Sequence, residues 1–201
     1  MITPEIIQKG YSYKEYREMI NELLAQNKTT GENHSEEYIN YTKLNVQRMD
    51  RIDKTMQTDA DAANHILSLN KPSMWLVITE AWCGDAAQIC PVIGRLAALN
   101  SFIELKFILR DEHTDIMNMF LTNGGKAIPV LIFIDAHSLA VLGHWGPRPQ
   151  AAQNLVLEHK RNPQEPYSEF VKKLHLWYAQ DKTLSIQKEI SEKVSVLPIT
   201  H

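Results

Sequence analysis

Cys83 is the residue in this chain best placed for nucleophilic chemistry. It lies in Trp82-Cys83-Gly84-Asp85-Ala86, and only Glu80-Ala81-Trp82 separates it from the apolar run Met74-Trp75-Leu76-Val77-Ile78-Thr79. That run, bounded by Lys71-Pro72-Ser73, reads as a buried strand. The residues after Cys83 read as a helix to about Leu99. A cysteine at such a junction meets unpaired backbone N–H groups and the positive end of the helix dipole. Both favour thiolate, the form that attacks a disulfide. Asp85 works the other way, because a nearby carboxylate opposes thiolate formation.

The second cysteine, Cys90, follows seven residues later. Seven helical residues rise about 10.5 Å, whereas bridged cysteines need Cα atoms within about 7 Å. The two are not expected to pair, and Cys90 reads as a small apolar residue filling the core. The eight histidines are scattered over 34, 65, 113, 137, 144, 159, 175 and 201, without the spacing of a zinc site. No metal and no cofactor is therefore expected.

Composition narrows the class further. The net charge of −3 gives no basic footprint for nucleic acid. Every apolar run is far shorter than the roughly twenty residues that span a bilayer, so no membrane role is expected. The first residues do not read as a signal peptide. Two cysteines without a partner suit a reducing compartment, and the expectation is a cytoplasmic protein.

The elements that must position Cys83 follow from pattern. Ser12 and Glu15 form a capping box before a helix with Tyr13, Tyr16, Ile20, Leu23 and Leu24 on one face, stopped at Thr29-Thr30-Gly31. Ser35 opens a longer helix, predicted to pack through Tyr38, Tyr41, Leu44, Met49, Ile52 and Met56. Its opposite side, with Lys43, Arg48, Asp50, Arg51, Asp53 and Lys54, is predicted to be solvated. A shorter helix starting at Asp59 or Asp61 delivers the chain to the first strand.

Phe102 to Leu109 is the next strand, parallel to the first across a right-handed βαβ crossover. Ligands of such sheets bind at the carboxyl ends of the strands, where Cys83 lies. Arg110-Asp111-Glu112-His113 closes that strand at the same end, either with its charges flanking the sulfur or as a plain polar loop, and Thr114 to Thr122 reads as a helix with Ile116, Met117, Phe120 and Leu121 inward. Val130 to Phe133 is a third strand, with Pro129 at its start, where a missing N–H does least harm. A connection at Asp135-Ala136-His137-Ser138 leads to an antiparallel partner over Leu139 to Trp145. Arg148 is either an anion contact near the site or an exposed arginine in a rigid turn. Two further helices are predicted, over Gln150 to Lys160 and from Pro166 through Phe170, Leu174, Trp177 and Tyr178. An amphipathic tail carries Leu184, Ile186, Ile190, Val194 and Val196.

Taken together, Trp82-Cys83-Gly84-Asp85-Ala86, Pro91 and Ala127-Ile128-Pro129-Val130-Leu131-Ile132-Phe133 resemble the active-site turn, helix kink and cis-proline strand of the thioredoxin family. The resemblance covers roughly residues 66–149. It implies an α/β, thioredoxin-like three-layer fold, a mixed central sheet with helices on both faces. The core would span 66–149, with a helical N-terminal extension over 1–65 and a helical C-terminal one over 150–201, in one compact unit. It also implies that Cys83 attacks, that Trp82, Gly84, Asp85 and Ala86 form its turn, and that Ile128, before a cis Pro129, pairs with the substrate backbone. Two departures stand out. Ala86 replaces the resolving cysteine, and Val77 replaces the family's buried carboxylate, leaving Glu80 as the nearest acid.

The expected function is a thioredoxin-like thiol-disulfide oxidoreductase working through one cysteine, its mixed disulfide resolved by an external thiol. Its partners would be a disulfide-bearing protein or a low-molecular-weight thiol. The alternative is a non-catalytic binding module that keeps the fold and has lost the resolving cysteine. Sharing of an iron–sulfur cluster, as in single-cysteine glutaredoxins, ranks last, since nothing in the sequence specifies a glutathione pocket.

Overall fold

The computed structural model describes residues 2–198; Met1 and residues 199–201, which end the helical segment expected over 150–201 and include His201, lie outside the described residues. Its centre is a four-stranded mixed sheet of β1 (Ser73–Thr79), β2 (Ile103–Leu109), β3 (Val130–Asp135) and β4 (Val141–Trp145), in the order β2-β1-β3-β4. β1 and β2 run parallel, while β3 is antiparallel to both β1 and β4. The parallel pair is joined through α5 (Gly84–Ala97), as the crossover reading predicts.

Strand alternation splits the core in two. Trp75, Val77, Phe107, Leu109, Leu131 and Phe133 face one layer, and Met74, Leu76, Ile78, Ile108, Val130, Ile132 and Ile134 face the other. Every residue of β1 is buried, so this strand is covered on both sides and reads as a continuous apolar run. The first layer holds α5 together with α2 (Tyr13–Ala25), α3 (Glu36–Thr55), α4 (Ala60–Leu67), α7 (Gln150–Arg161), α8 (Tyr167–Asp181) and α9 (Leu184–Ser195). The second layer is thinner, built from α1 (Pro4–Lys9) and the one-turn α6 (Thr114–Met117) with the chain that follows it.

The expected caps form. Ser12 and Glu15 make a reciprocal capping box at α2, the Ser35 hydroxyl accepts the Tyr38 N–H at α3, and Asp59 caps α4. Pro166 stands just outside α8, at its cap position.

Four expectations need correction. The helix predicted over Thr114 to Thr122 ends at Met117, because the chain turns to bury Phe120 and then tightens through Asn123 and Gly124, both at positive φ. Leu121 is left exposed. On α3 the buried stripe is Ile39, Thr42, Asn45, Met49 and Ile52, whereas Tyr41 and Leu44 face solvent. The charged side of α3 is not simply solvated either. Asp50 and Asp53 hold Arg17 of α2, and Arg51 donates to Gln88 of α5 at 3.2 Å. In the tail, Ile186, Ile190 and Val194 are buried as expected, while Leu184 and Val196 are exposed.

Candidate functional site

β1 delivers the chain to Thr79, and a turn then carries it into α5. The Cys83 N–H donates to the Glu80 carbonyl at 3.2 Å, and the Ala87 N–H returns to the Cys83 carbonyl at 3.1 Å. Cys83 is thereby the cap residue of α5, in extended backbone geometry, with Sγ accepting the Ala86 N–H at 3.5 Å. On its other side the sulfur donates to the carbonyl of Ile128 at 3.4 Å. The Ile128–Pro129 bond is cis, as is Gly146–Pro147. The two cis segments press together. Gly146 has φ +126°, and a Cβ there would lie 2.4 Å from the Pro129 carbonyl oxygen, so only glycine fits.

Trp82 is half-buried between two partners, the Arg110 guanidinium at 4.7 Å from its ring centre and the Tyr38 ring at 5.2 Å. Of the two readings of Arg110 to His113, the one that sets its charges beside the cysteine turn is the one observed. The Asp111 N–H also donates to Glu80 Oε1 at 3.0 Å. Glu80 is completely buried, its Oε2 has no hydrogen-bond partner among the described residues, and burial raises its pKa above the ordinary carboxyl value.

The expected thiolate is not favoured in this geometry. Cys83 keeps part of its residue surface, yet its thiol is pushed up to about 12, first by burial and then by Asp85. The N–H groups of Ala86 and Asp85 and the Arg148 guanidinium oppose that rise without cancelling it. The helix terminus is a local contribution; desolvation by the surrounding elements outweighs it.

Asp85 is only 8% exposed. Its carboxylate takes Arg148 Nη2 at 2.6 Å and the Tyr178 hydroxyl at 2.8 Å. Of the two readings of Arg148, the exposed turn residue is therefore excluded: its side chain is 17% exposed and bound to an anion within the chain. Ala86 is buried and supplies no thiol, so the turn holds one sulfur. Cys90 is fully buried, 3.6 Å from Thr79 Oγ1, and both cysteines are free. It fills the core.

Several residues here gave no functional signal in the sequence. Asn45 of α3 donates to the Ala81 carbonyl at 2.9 Å, holding the turn before Cys83, and Arg48 donates to Asn45 Oδ1 at 2.7 Å. From α8, His175 Nδ1 lies 3.2 Å from Gln88 Nε2, and a Cβ on Gly84 would meet His175 Nε2 at 2.8 Å. Among the described residues no cluster of histidine, cysteine and carboxylate side chains could hold a metal, and no helix is long and apolar enough to cross a membrane.

A cysteine capping a helix after a parallel strand, facing the carbonyl that precedes a cis proline, agrees with a comparison against family models. The model described as Thioredoxin matches residues 31–175. The chain belongs to the thioredoxin family. The match extends past residues 66–149 on both sides, taking in α3 and the first half of α8, so the helices that flank the thioredoxin motifs fall within it. Among solved structures, an HIV epitope-scaffold is similar at TM-score 0.59 and 15% identity, over 96% of this chain and 97% of that one. A Pseudomonas aeruginosa protein of unknown function is similar at TM-score 0.57 and 17% identity, with the same coverage. At these identities the likeness concerns the fold. No curated protein sequence matches.

Proposed function

We propose that the protein is a single-cysteine thiol-disulfide oxidoreductase acting through Cys83. The observation that carries this is the seating of Sγ between the Ala86 N–H and the carbonyl of Ile128, directly before cis Pro129. A packing cysteine has no need of that constellation, and Cys90 shows what a packing cysteine looks like in this chain.

In the reaction, Cys83 loses its proton and its thiolate attacks one sulfur of a disulfide. The old S–S bond breaks, the departing sulfur leaves as thiolate and is protonated, and Cys83 is left in a mixed disulfide. An external thiol then attacks the partner's sulfur in that bond and expels Cys83 as thiolate, which takes back a proton. Ala86 cannot perform that second step, so the second thiol is a reactant. Burial and Asp85 raise the Cys83 pKa, so little of the sulfur is thiolate in the resting protein. A substrate backbone N–H that competes for the Ile128 carbonyl would release the sulfur from its acceptor and leave the Ala86 N–H to hold the thiolate. Two free cysteines suit a reducing, cytoplasmic setting.

The raised Cys83 pKa favours a second reading, a binding module that keeps the fold without turnover. Reduction of insulin and of 2-hydroxyethyl disulfide, with glutathione or a dithiol as reductant, separates the two. Turnover that Cys83→Ser abolishes supports exchange. Absence of Cys83-dependent turnover with either reductant establishes the binding reading in its place.

A further inference from the structure

The peptide of Ala81 lies past the last ladder pair of β1, at Thr79, and before the first residue of α5, Gly84. Neither its N–H nor its carbonyl finds a backbone partner among the described residues, although Ala81 is only 2% exposed. Two side chains from the N-terminal segment take the place of backbone. Thr30 Oγ1 accepts the N–H at 2.9 Å, and Asn45 Nδ2 donates to the carbonyl at 2.9 Å. Thr30 and Asn45 are both buried, so no solvent stands ready to replace either bond.

Each of the two is itself fixed. Asn45 Oδ1 accepts Arg48 Nη1 at 2.7 Å, which sets the amide orientation and leaves its N–H₂ for Ala81. Thr30 follows Thr29, whose hydroxyl lies 2.6 Å from that of Thr42 on α3. Thr42 gives its own proton to the Tyr38 carbonyl at 2.9 Å, so Thr29 is the donor in that pair. The loop that carries Thr30 is therefore tied to the same helix that carries Asn45. On the other side of Ala81, the Cys83 N–H is held by the Glu80 carbonyl at 3.2 Å, and the Trp82 ring lies between Arg110 and Tyr38. A peptide gripped from both sides, two residues before the sulfur, leaves the turn little freedom.

We propose that Thr30 and Asn45 are positioning residues for Cys83, holding its sulfur at the Ile128 carbonyl through the Ala81 peptide, so that the N-terminal helical segment is part of the site. This rests on the exchange reading for its effect on turnover; the geometric claim stands apart from it. A released Ala81 peptide carries Sγ off its 3.4 Å contact with Ile128 and opens the turn to water. Burial is the first cause of the raised Cys83 pKa, so water reaching the sulfur makes it easier to alkylate. The same release misplaces it for a substrate, and misplacement costs rate even where the reacting group is intact. Faster alkylation with slower exchange is a split that the mere loss of a buried hydrogen bond elsewhere does not produce.

The test uses three variants. Thr30→Val keeps the shape and removes the acceptor, and Thr30→Ser keeps the oxygen. Asn100→Leu removes a buried amide that ties the Ile66 and Leu69 carbonyls at the opposite end of β1. Thr30→Val is expected to reduce 2-hydroxyethyl disulfide about tenfold more slowly, with most of the loss in kcat. It should also react with iodoacetamide at Cys83 roughly threefold faster or more at pH 8. Thr30→Ser should restore both rates, and Asn100→Leu should lower the urea midpoint while leaving both within about twofold of wild type. Rates for Thr30→Val within about twofold of wild type, or the same split in Asn100→Leu, overturn the proposal. In the unaltered protein, the Ala81 amide should exchange hydrogen as slowly as the amides of β1. Exchange at the rate of an exposed loop overturns the proposal even where Thr30→Val fails to fold. Wild-type protein without Cys83-dependent turnover removes the exchange function, and alkylation and hydrogen exchange then decide the positioning by themselves.

Discussion

Replacing Asp85 by Asn separates the two things that carboxylate does. It holds Arg148 in place, and its charge opposes ionisation of Cys83. The Asp85 and Arg148 side chains are 11% and 17% exposed, so the rules for buried pairs apply with little screening. Removing one member of such a pair leaves the other charge unpaired and costs about 3–5 kcal/mol. For a chain of this length that is a drop of roughly 6–20 °C in Tm. The thiol should move the opposite way. A like charge beside a titrating group shifts its pKa by roughly one to three units. The low end, for a cysteine that still reaches solvent, is about one unit, a tenfold gain in thiolate at any pH well below the pKa. Iodoacetamide alkylation of Cys83 between pH 7 and 10, alongside urea unfolding, reads both effects. The prediction is a less stable protein whose cysteine reacts about tenfold faster. Adding Arg148→Met to Asp85→Asn should recover stability by removing the stranded guanidinium. A folded Asp85→Asn protein that alkylates at the wild-type rate or slower would refute the account of Cys83.

Other consequences are equally open to test. Cys90→Ala should keep exchange activity within twofold of wild type while losing about 1 kcal/mol in urea unfolding, because Cys90 only fills the core. Gly146→Ala forces a methyl against the Pro129 carbonyl oxygen at a backbone angle alanine rarely adopts. It should cost about 2 kcal/mol or more and lower Cys83-dependent turnover, since Pro129 and Ile128 must shift. Buried Glu80 has a raised folded-state pKa. Folding therefore takes up a proton between the ordinary carboxyl value and that raised value, and stability falls as pH rises through the window. Glu80→Gln should flatten that fall in urea unfolding at pH 5 against pH 7.5; an identical pH dependence in the variant would contradict it.

Much of the fold is legible in the sequence because it follows from local rules. The side-chain alternation of β1, the caps at Ser12, Ser35 and Asp59, and the strand–helix–strand crossover each depend on residues close together in the chain. The cysteine turn and Pro129 are legible for the same reason. What the sequence hides is contributed by distant segments. Arg48 and Arg51 read as a solvated face because helical periodicity knows nothing of the α5 terminus, about forty residues away, that they reach. His175 reads as one of eight scattered histidines until α8 lays it against Gly84. The thiolate expectation fails in the same way: a cap geometry is local, whereas the desolvation that pushes Cys83 up comes from the tertiary packing. The early end of α6 follows from burying Phe120, a demand of the sheet's second face that periodicity cannot show.

The central claim is most directly tested by intact-mass spectrometry of the protein incubated with glutathione disulfide, followed by peptide mapping and then by addition of excess reduced glutathione. A single glutathionyl adduct on the peptide containing Cys83, none on Cys90, and full release by the added thiol are predicted. An unmodified Cys83, or an adduct there that the external thiol cannot remove, would contradict the claim.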